Sequence, residues 1–201
     1  MKPSTYTTVG TEGTAKLVVK KSTFLSFAFP AMTVDEVEER VKECRKKYYD
    51  ARHVCYAYVL EADSSLFRGS DNGEPSGTAG RPILGTIRAA GLTFTGVIVV
   101  RYFGGIKLGT SGLAAAYKEV AEMALAAASL VDVTVEDSLQ FTFDYSRIND
   151  VMKLLKTTGV HIVENLIDLE CSVSIRVPSD RTEALRAQLA KIPTLHIADN
   201  N

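Results

Sequence analysis

Two glycine-rich runs hold most of the residues whose types and spacing could do chemistry. The first, R-G-S-D-N-G-E-P-S-G-T-A-G-R-P from Arg68 to Pro82, sets Asp71 and Glu74 among turn formers, with Arg68 and Arg81 flanking. Two carboxylates so placed could hold a divalent ion or move a proton. They could equally pair with those arginines, or with basic residues of the second run, and latch two loops together. The second run, R-Y-F-G-G-I-K-L-G-T-S-G-L-A-A-A-Y-K from Arg101 to Lys118, carries Arg101, Lys107 and Lys118 and no acid. Strand, Gly-rich loop and helix in that order form a local arrangement that binds anions, because the first N–H groups of a helix lack intrahelical partners. The expected anion pocket comprises Arg101, Gly104, Gly105, Lys107, Gly109, Thr110, Ser111 and Gly112. Its facing loop is Asp71, Gly73, Glu74, Ser76, Gly77, Thr78 and Arg81.

Eight of the chain's 14 glycines fall in these two runs. Such clustering marks tight backbone demands or close approach of something to the main chain, with ordinary turns the alternative. From Gly104, neither the dinucleotide pattern G-x-G-x-x-G nor the Walker pattern G-x-x-x-x-G-K-[ST] is satisfied. His53 and Cys55 project to one side of a strand beside the site. That placement invites a Cys/His nucleophile, but same-face neighbours stand side by side, which suits a packed cysteine next to a hydrogen-bonded histidine. His161 and His196 are isolated and read as structural.

The elements that must position these residues follow from periodicity. After a polar start, Ala15 to Val19 and Thr23 to Phe29 read as strands, the second with Leu25, Phe27 and Phe29 on one face and Phe24, Ser26 and Ala28 on the other. Thr33-Val-Asp-Glu36 is a capping-box pattern, and Val34, Val37, Val41 and Cys44 recur at helical spacing. Acids open that helix and Lys42, Arg45, Lys46 and Lys47 close it, as the helix macrodipole favours. His53 to Leu60 is strand-like, Pro82 to Ala90 a short helix, Thr95 to Phe103 a buried strand, and Ser111 to Ser129 an alanine-rich helix.

From Val135 the pattern restarts. Leu139, Phe141, Phe143 and Tyr145 alternate, Ser146 opens a helix that Gly159 stops, two strands span Val160 to Leu169 and Cys171 to Val177, Ser179 caps a second helix, and L-H-I-A closes an edge. The order β-α-β-β-α-β is that of a ferredoxin-like domain. The fold class is therefore α+β in two domains, residues 1–133 and 134–201, joined near Val131 to Asp137.

Composition narrows the function classes. The 201 residues carry a formal net charge of −1, which gives the whole chain no electrostatic pull toward nucleic acid or anionic membrane. Three cysteines without a C-x-x-C pair fit a reducing compartment, not a disulfide framework or a zinc knuckle. The opening segment is too polar for a signal peptide and no apolar run is long enough to span a membrane, so a cytoplasmic location is expected.

H-V-C-Y-A-Y, then S-D-N-G-E-P-S-G-T-A-G-R-P-I-L, then V-V-R-Y-F-G-G-I-K-L-G-T-S-G-L-A-A-A-Y closely resemble the signature of the IMPACT family, over about Phe24 to Ala128. The resemblance implies a first domain with the fold of the second domain of ribosomal protein S-five, followed in bacterial members by a ferredoxin-like domain. It also implies a binding protein that regulates translation initiation, with RNA, the ribosome or a translation factor as partner and no DNA sequence readout. No cofactor is implied, a phosphate-containing ligand or a divalent ion being the alternatives. Where the family reads L-G-x-G-G-L-x-R-A-Y, this chain has Ser111 for the second glycine and Ala115 for the arginine, a change that removes an expected anion contact. The same S-five-like fold carries small-molecule kinases whose phosphate loop is similar to Leu108-Gly-Thr-Ser-Gly-Leu-Ala-Ala-Ala116, so the alternative function is a nucleotide- or phosphate-dependent enzyme using that loop.

Overall fold

A computed structural model describes residues 3–198 as a mixed α and β protein with three sheets. By their contacts these residues form two compact units, one spanning Thr5–Val133 and the other residues 134–198 together with residues 3–4.

The first unit is built on a five-stranded antiparallel sheet. Its strands are β2 (Gly13–Val19), β3 (Ser22–Pro30), β4 (His53–Leu60), β5 (Leu66–Ser70) and β6 (Thr95–Tyr102), in spatial order β2-β3-β6-β4-β5. Both faces are covered. Helix α1 (Val34–Lys47) buries Val37, Val41 and Cys44 against Phe29, Val54, Tyr56, Ile98 and Val100. On the other face, α2 (Gly80–Ala89) and α3 (Gly109–Ala127) pack Ile83, Ile87, Leu113 and Tyr117 against Phe24, Cys55, Ala57, Val97 and Val99. A strand enclosed on both sides reads as a continuous apolar run, which is why β6 is buried from Thr95 to Arg101. The alternation of β4 and β6 decides which side chains look toward α3: odd-numbered residues do, so His53, Cys55, Val99 and Arg101 share that face.

The capping box of α1 forms with one shift. The Glu36 N–H donates to Thr33 Oγ1 at 3.2 Å, and Glu36 Oε2 accepts from the N–H of Met32 at 2.7 Å.

Three stretches differ from the sequence reading. The polar start contains β1 (Thr5–Thr11), and β7 (Ser129–Thr134) runs from the expected end of the alanine-rich helix into the segment expected to link the domains; the two pair as a separate ribbon. Both are rich in threonine, valine and polar residues without a clean apolar alternation, so periodicity alone does not disclose them. The first Gly-rich run is only partly a loop: β5 extends through Gly69 to Ser70 and α2 begins at Gly80.

In the second unit, β8 (Glu136–Asp144), α4 (Ile148–Thr158), β9 (His161–Leu166), β10 (Glu170–Pro178), α5 (Thr182–Leu189) and β11 (His196–Ile197) form a four-stranded antiparallel sheet in the order β11-β8-β10-β9. Leu139, Phe141, Phe143, Cys171, Val173, Ile175 and Val177 form its core with Val151, Leu155, Leu185 and Leu189. Gly159 ends α4 in the left-handed region at φ 64°, its N–H donating to the Leu155 carbonyl. Neither serine expected to cap a helix does so. Ser146 lies inside a 3-10 turn, Tyr145–Arg147, and Ser179 sits in a turn that delays α5 to Thr182. His161 and His196 are exposed on β9 and β11.

Candidate functional site

The two Gly-rich runs meet at a cavity of about 460 Å³ in the first unit. Gly73, Glu74 and Pro75 come from the first run, Arg101, Phe103, Lys107, Leu108, Gly109 and Thr110 from the second, and Arg52, His53 and Leu113 complete the wall. β6 delivers Arg101 into it, and in the antiparallel register Arg101 stands directly opposite His53 of β4 and Phe24 of β3.

Under the cavity lies a buried network centred on Glu74. Its Oε1 accepts from Arg101 Nη1 at 2.6 Å and from the Tyr117 hydroxyl at 2.9 Å, while His53 Nε2 stands 4.0 Å away. The Arg101 and Glu74 side chains are 6% and 3% exposed, so water screens their attraction little. Arg101 Nη2 also reaches Ser22 Oγ at 3.4 Å, and the same hydroxyl accepts from the N–H of Gly104 at 3.2 Å. Of the options read for Asp71 and Glu74, the pairing of an acid from the first run with a base of the second is the one formed, through Glu74. Arg101, expected as an anion contact, has its charge matched by Glu74.

Asp71 turns away from the cavity. Its carboxylate accepts from the N–H groups of Gly77, Ala79 and Gly80 at 2.8–2.9 Å, closing its own loop and capping α2. Burial pushes its pKa up, but the three N–H donors outweigh that and hold it below the usual aspartate value. The Asp71 carbonyl accepts from Cys55 Sγ at 2.9 Å, and Tyr117 Oη lies 3.4 Å from the same sulfur. Burial raises this thiol to about 12, so Cys55 is not an activated nucleophile. Tyr117 is also raised, by burial first and then by Cys55 and Glu74. His53 has its Nδ1 3.0 Å from the Asn72 carbonyl; that partner can only accept, so Nδ1 carries a proton, and Nε2 faces Glu74.

Several exposed donors border the cavity. Helix α3 starts at Gly109, two residues earlier than its periodicity suggests, with φ 74° and no side-chain cap. Thr110 and Ser111 are exposed in its first turn, and Gly112 packs under Leu108. Lys107 and Arg52 are exposed, and neither forms an ion pair among the described residues. Ser76 is exposed, Thr78 is buried with Oγ1 donating to the Pro75 carbonyl, and Gly105 occupies an exposed turn. Gly77, Arg81, Ala115 and Lys118 line a different groove, between α2 and α3. Ala115, where the family reads arginine, therefore lies in that groove and not in the wall of the cavity. Among the described residues, no group of three His, Cys, Asp or Glu side chains is placed to hold a metal ion, and no helix is long and apolar enough to cross a membrane.

The sequence reading missed Tyr117, Ser22, Arg52 and Phe103 as members of the site. Tyr117 had a usable signal, since it shares a helical face with Leu113, Val120 and Ala124 and is the polar-tipped member of an apolar stripe. Arg52 and Ser22 had none, being brought in by strand pairing.

Fold and site together define a class: a two-unit α and β chain whose first unit opens a cavity of mixed basic and apolar lining at a Gly-rich strand-to-helix turn. The model of the Impact N-terminal domain matches residues 20–125. IMPACT family member YvyE of Bacillus subtilis is 32% identical over 166 residues, 80% of this chain and 76% of that protein. IMPACT family member YigZ of Escherichia coli is 33% identical over 176 residues, 86% of this chain and 85% of that protein. The chain belongs to the IMPACT family, as the resemblance of its Gly-rich runs implies. A crystal structure described as that of a hypothetical protein matches with a TM-score of 0.73 and 28% identity, covering 99% of this chain and 98% of its own. The structure of a two-domain translational regulator, Yih1, aligns over 61% of this chain and 47% of its own at 23% identity, with a TM-score of 0.36, too low to carry fold or function.

Proposed function

We propose that this protein is a cytoplasmic, non-enzymatic binding protein that acts in the regulation of translation initiation, engaging RNA or the ribosome through the cavity of its first unit. Family membership is the ground for the translation role, through the regulators that the resemblance of the Gly-rich runs implies. The observation that carries the binding mode is the division of charge in the cavity. Its one carboxylate, Glu74, is occupied by Arg101 and Tyr117, while Lys107, Arg52 and the uncapped start of α3 stay at the mouth for an incoming anion. The raised Cys55 thiol supports binding over nucleophilic catalysis. We also propose an S-five-like fold for the first unit and a ferredoxin-like fold for the second, the latter supported by the β11-β8-β10-β9 strand order.

Co-sedimentation with ribosomes over a salt series tests the reading. Binding should fall steeply with salt, and Lys107→Ala and Arg52→Ala should each weaken it and flatten the salt slope by about one counterion-release unit. Absence of co-sedimentation at low salt, or a slope unchanged by both substitutions, would refute it.

A further inference from the structure

The cavity has two chemically different kinds of lining. One is cationic: Lys107, Arg52 and the start of α3 at Gly109 and Thr110 all border it, and its one carboxylate, Glu74, is paired with Arg101. Behind them Arg101, with a side chain only 6% exposed, lines the wall, and its buried Nε has no hydrogen-bond partner among the described residues. The other kind is apolar, made of Phe103, Pro75, Leu108 and Leu113. Phe103 is 49% exposed although it follows a fully enclosed strand, with the Arg101 guanidinium 5.6 Å from its ring centroid. An exposed aromatic beside a guanidinium is a stacking platform for a flat, electron-rich ring. At about 460 Å³ the cavity falls within the size range of small-molecule sites.

Charge selects among phosphates. Arg101 is balanced by Glu74, so the charge on offer is that of Lys107 and Arg52 plus the partial charge of the helix start. A phosphomonoester carries about two negative charges near neutral pH and matches that supply. The single charge of an internal phosphodiester leaves one cation uncompensated.

Resting on the binding mode proposed above, we infer that the cavity recognises a nucleoside phosphomonoester, its terminal phosphate held by Lys107, Arg52 and the α3 N-terminus and its base laid on Phe103. This chemistry is presented both by a free nucleotide and by the phosphorylated end of an RNA strand.

The test is equilibrium titration of the full chain with a short oligoribonucleotide bearing a 5′-phosphate, the same strand with a 5′-hydroxyl, adenosine monophosphate, and inorganic phosphate. The 5′-phosphate should tighten oligonucleotide binding about tenfold or more, the gain expected of a new set of charge-assisted hydrogen bonds. Adenosine monophosphate should bind more tightly than inorganic phosphate, and Phe103→Ala should remove that advantage. Lys107→Ala should abolish the preference for the phosphorylated end. Oligonucleotide binding tighter than that of adenosine monophosphate identifies an RNA end as the source, and equal binding identifies a free nucleotide.

Equal affinity for the phosphate and hydroxyl ends, no advantage of adenosine monophosphate over inorganic phosphate, or no binding of any probe would each overturn the inference. If the two ends bind equally and Lys107→Ala weakens both, only recognition of the terminus fails and RNA binding through this cavity stands. Loss of ribosome co-sedimentation at low salt is the separate failure of the underlying reading.

Discussion

Replacing Glu74 should damage the first unit far more than replacing its partner Arg101. Glu74→Leu removes the one acceptor shared by Arg101 Nη1 and the Tyr117 hydroxyl, both buried, and leaves a guanidinium that cannot shed its proton. Breaking a buried ion pair from one side costs about 3–5 kcal/mol, and the stranded phenol adds about 1–3 kcal/mol unless water reaches it. Arg101→Leu leaves a carboxylate that, unlike a guanidinium, can be neutralised by a proton and that keeps the Tyr117 hydrogen bond, so its cost should be smaller, about 2–3 kcal/mol. The double variant should be less destabilised than the sum of the two by at least about 2 kcal/mol, because no unmatched charge remains.

Urea unfolding followed by far-ultraviolet circular dichroism measures these quantities, with amide hydrogen exchange assigning the transition to the first unit. With a slope of about 2 kcal/mol per molar, Glu74→Leu should lower the midpoint by about 2 M or more. The reasoning is refuted if Glu74→Leu costs less than Arg101→Leu at neutral pH, or if the two substitutions are additive.

Asp71→Asn should cost about 1–3 kcal/mol at neutral pH, since an amide cannot accept from all three N–H groups that Asp71 now satisfies. The folded pKa of Asp71 lies below the ordinary value of 3.8, so its contribution is fully present above that value and lost as pH falls through the lowered folded value; the stability gap between wild type and Asp71→Asn, followed by urea unfolding from neutral pH into acid, should close accordingly. With its thiol raised to about 12 from an ordinary 9.0, Cys55 should present about a thousandfold less thiolate at pH 8, so mass spectrometry should find it unlabelled by iodoacetamide in the folded chain and labelled rapidly in urea. Gly104→Ala should prevent the native loop from forming, since a Cβ there would lie 2.0 Å from the Lys21 carbonyl carbon, whereas Gly85→Ala, inside α2 with nothing near its would-be Cβ, should raise stability by about 0.5–1 kcal/mol in thermal unfolding.

Much of the scaffold was legible because it is periodic. The alternation of β3, the largely apolar and buried β6 and the α1 pattern with its Thr33–Glu36 cap each state their partners: two faces to cover, a strand enclosed on both sides, a helix with one buried stripe. The elements that escaped were those stabilised from outside. β1 and β7 satisfy each other's backbone across more than a hundred residues, and β5 is an exposed edge strand inside a run whose composition reads as turn. The starts of α4 and α5 escaped for the opposite reason: serine is a strong capping signal, yet Ser146 and Ser179 sit in turns that delay the helices, whose N-cap positions fall at Arg147 and Arg181.

The site was half legible, and the missing half is instructive about charge. Reading along the chain, Arg101 and Lys107 belong to one acid-free stretch and look equally available to an anion. Availability is decided by neighbours across the strands and not along them. The β6 register sets Arg101 opposite His53, on the face where α3 brings Tyr117 and the first loop brings Glu74, so its charge is consumed in holding the two runs together. Arg52, one residue before β4 and outside both Gly-rich runs, is exposed and lines the same cavity as Lys107. An anion entering the cavity thus meets a cation that no motif contains. The arginine that the motif does contain serves the site by fixing the loop geometry on which Lys107 and the start of α3 depend.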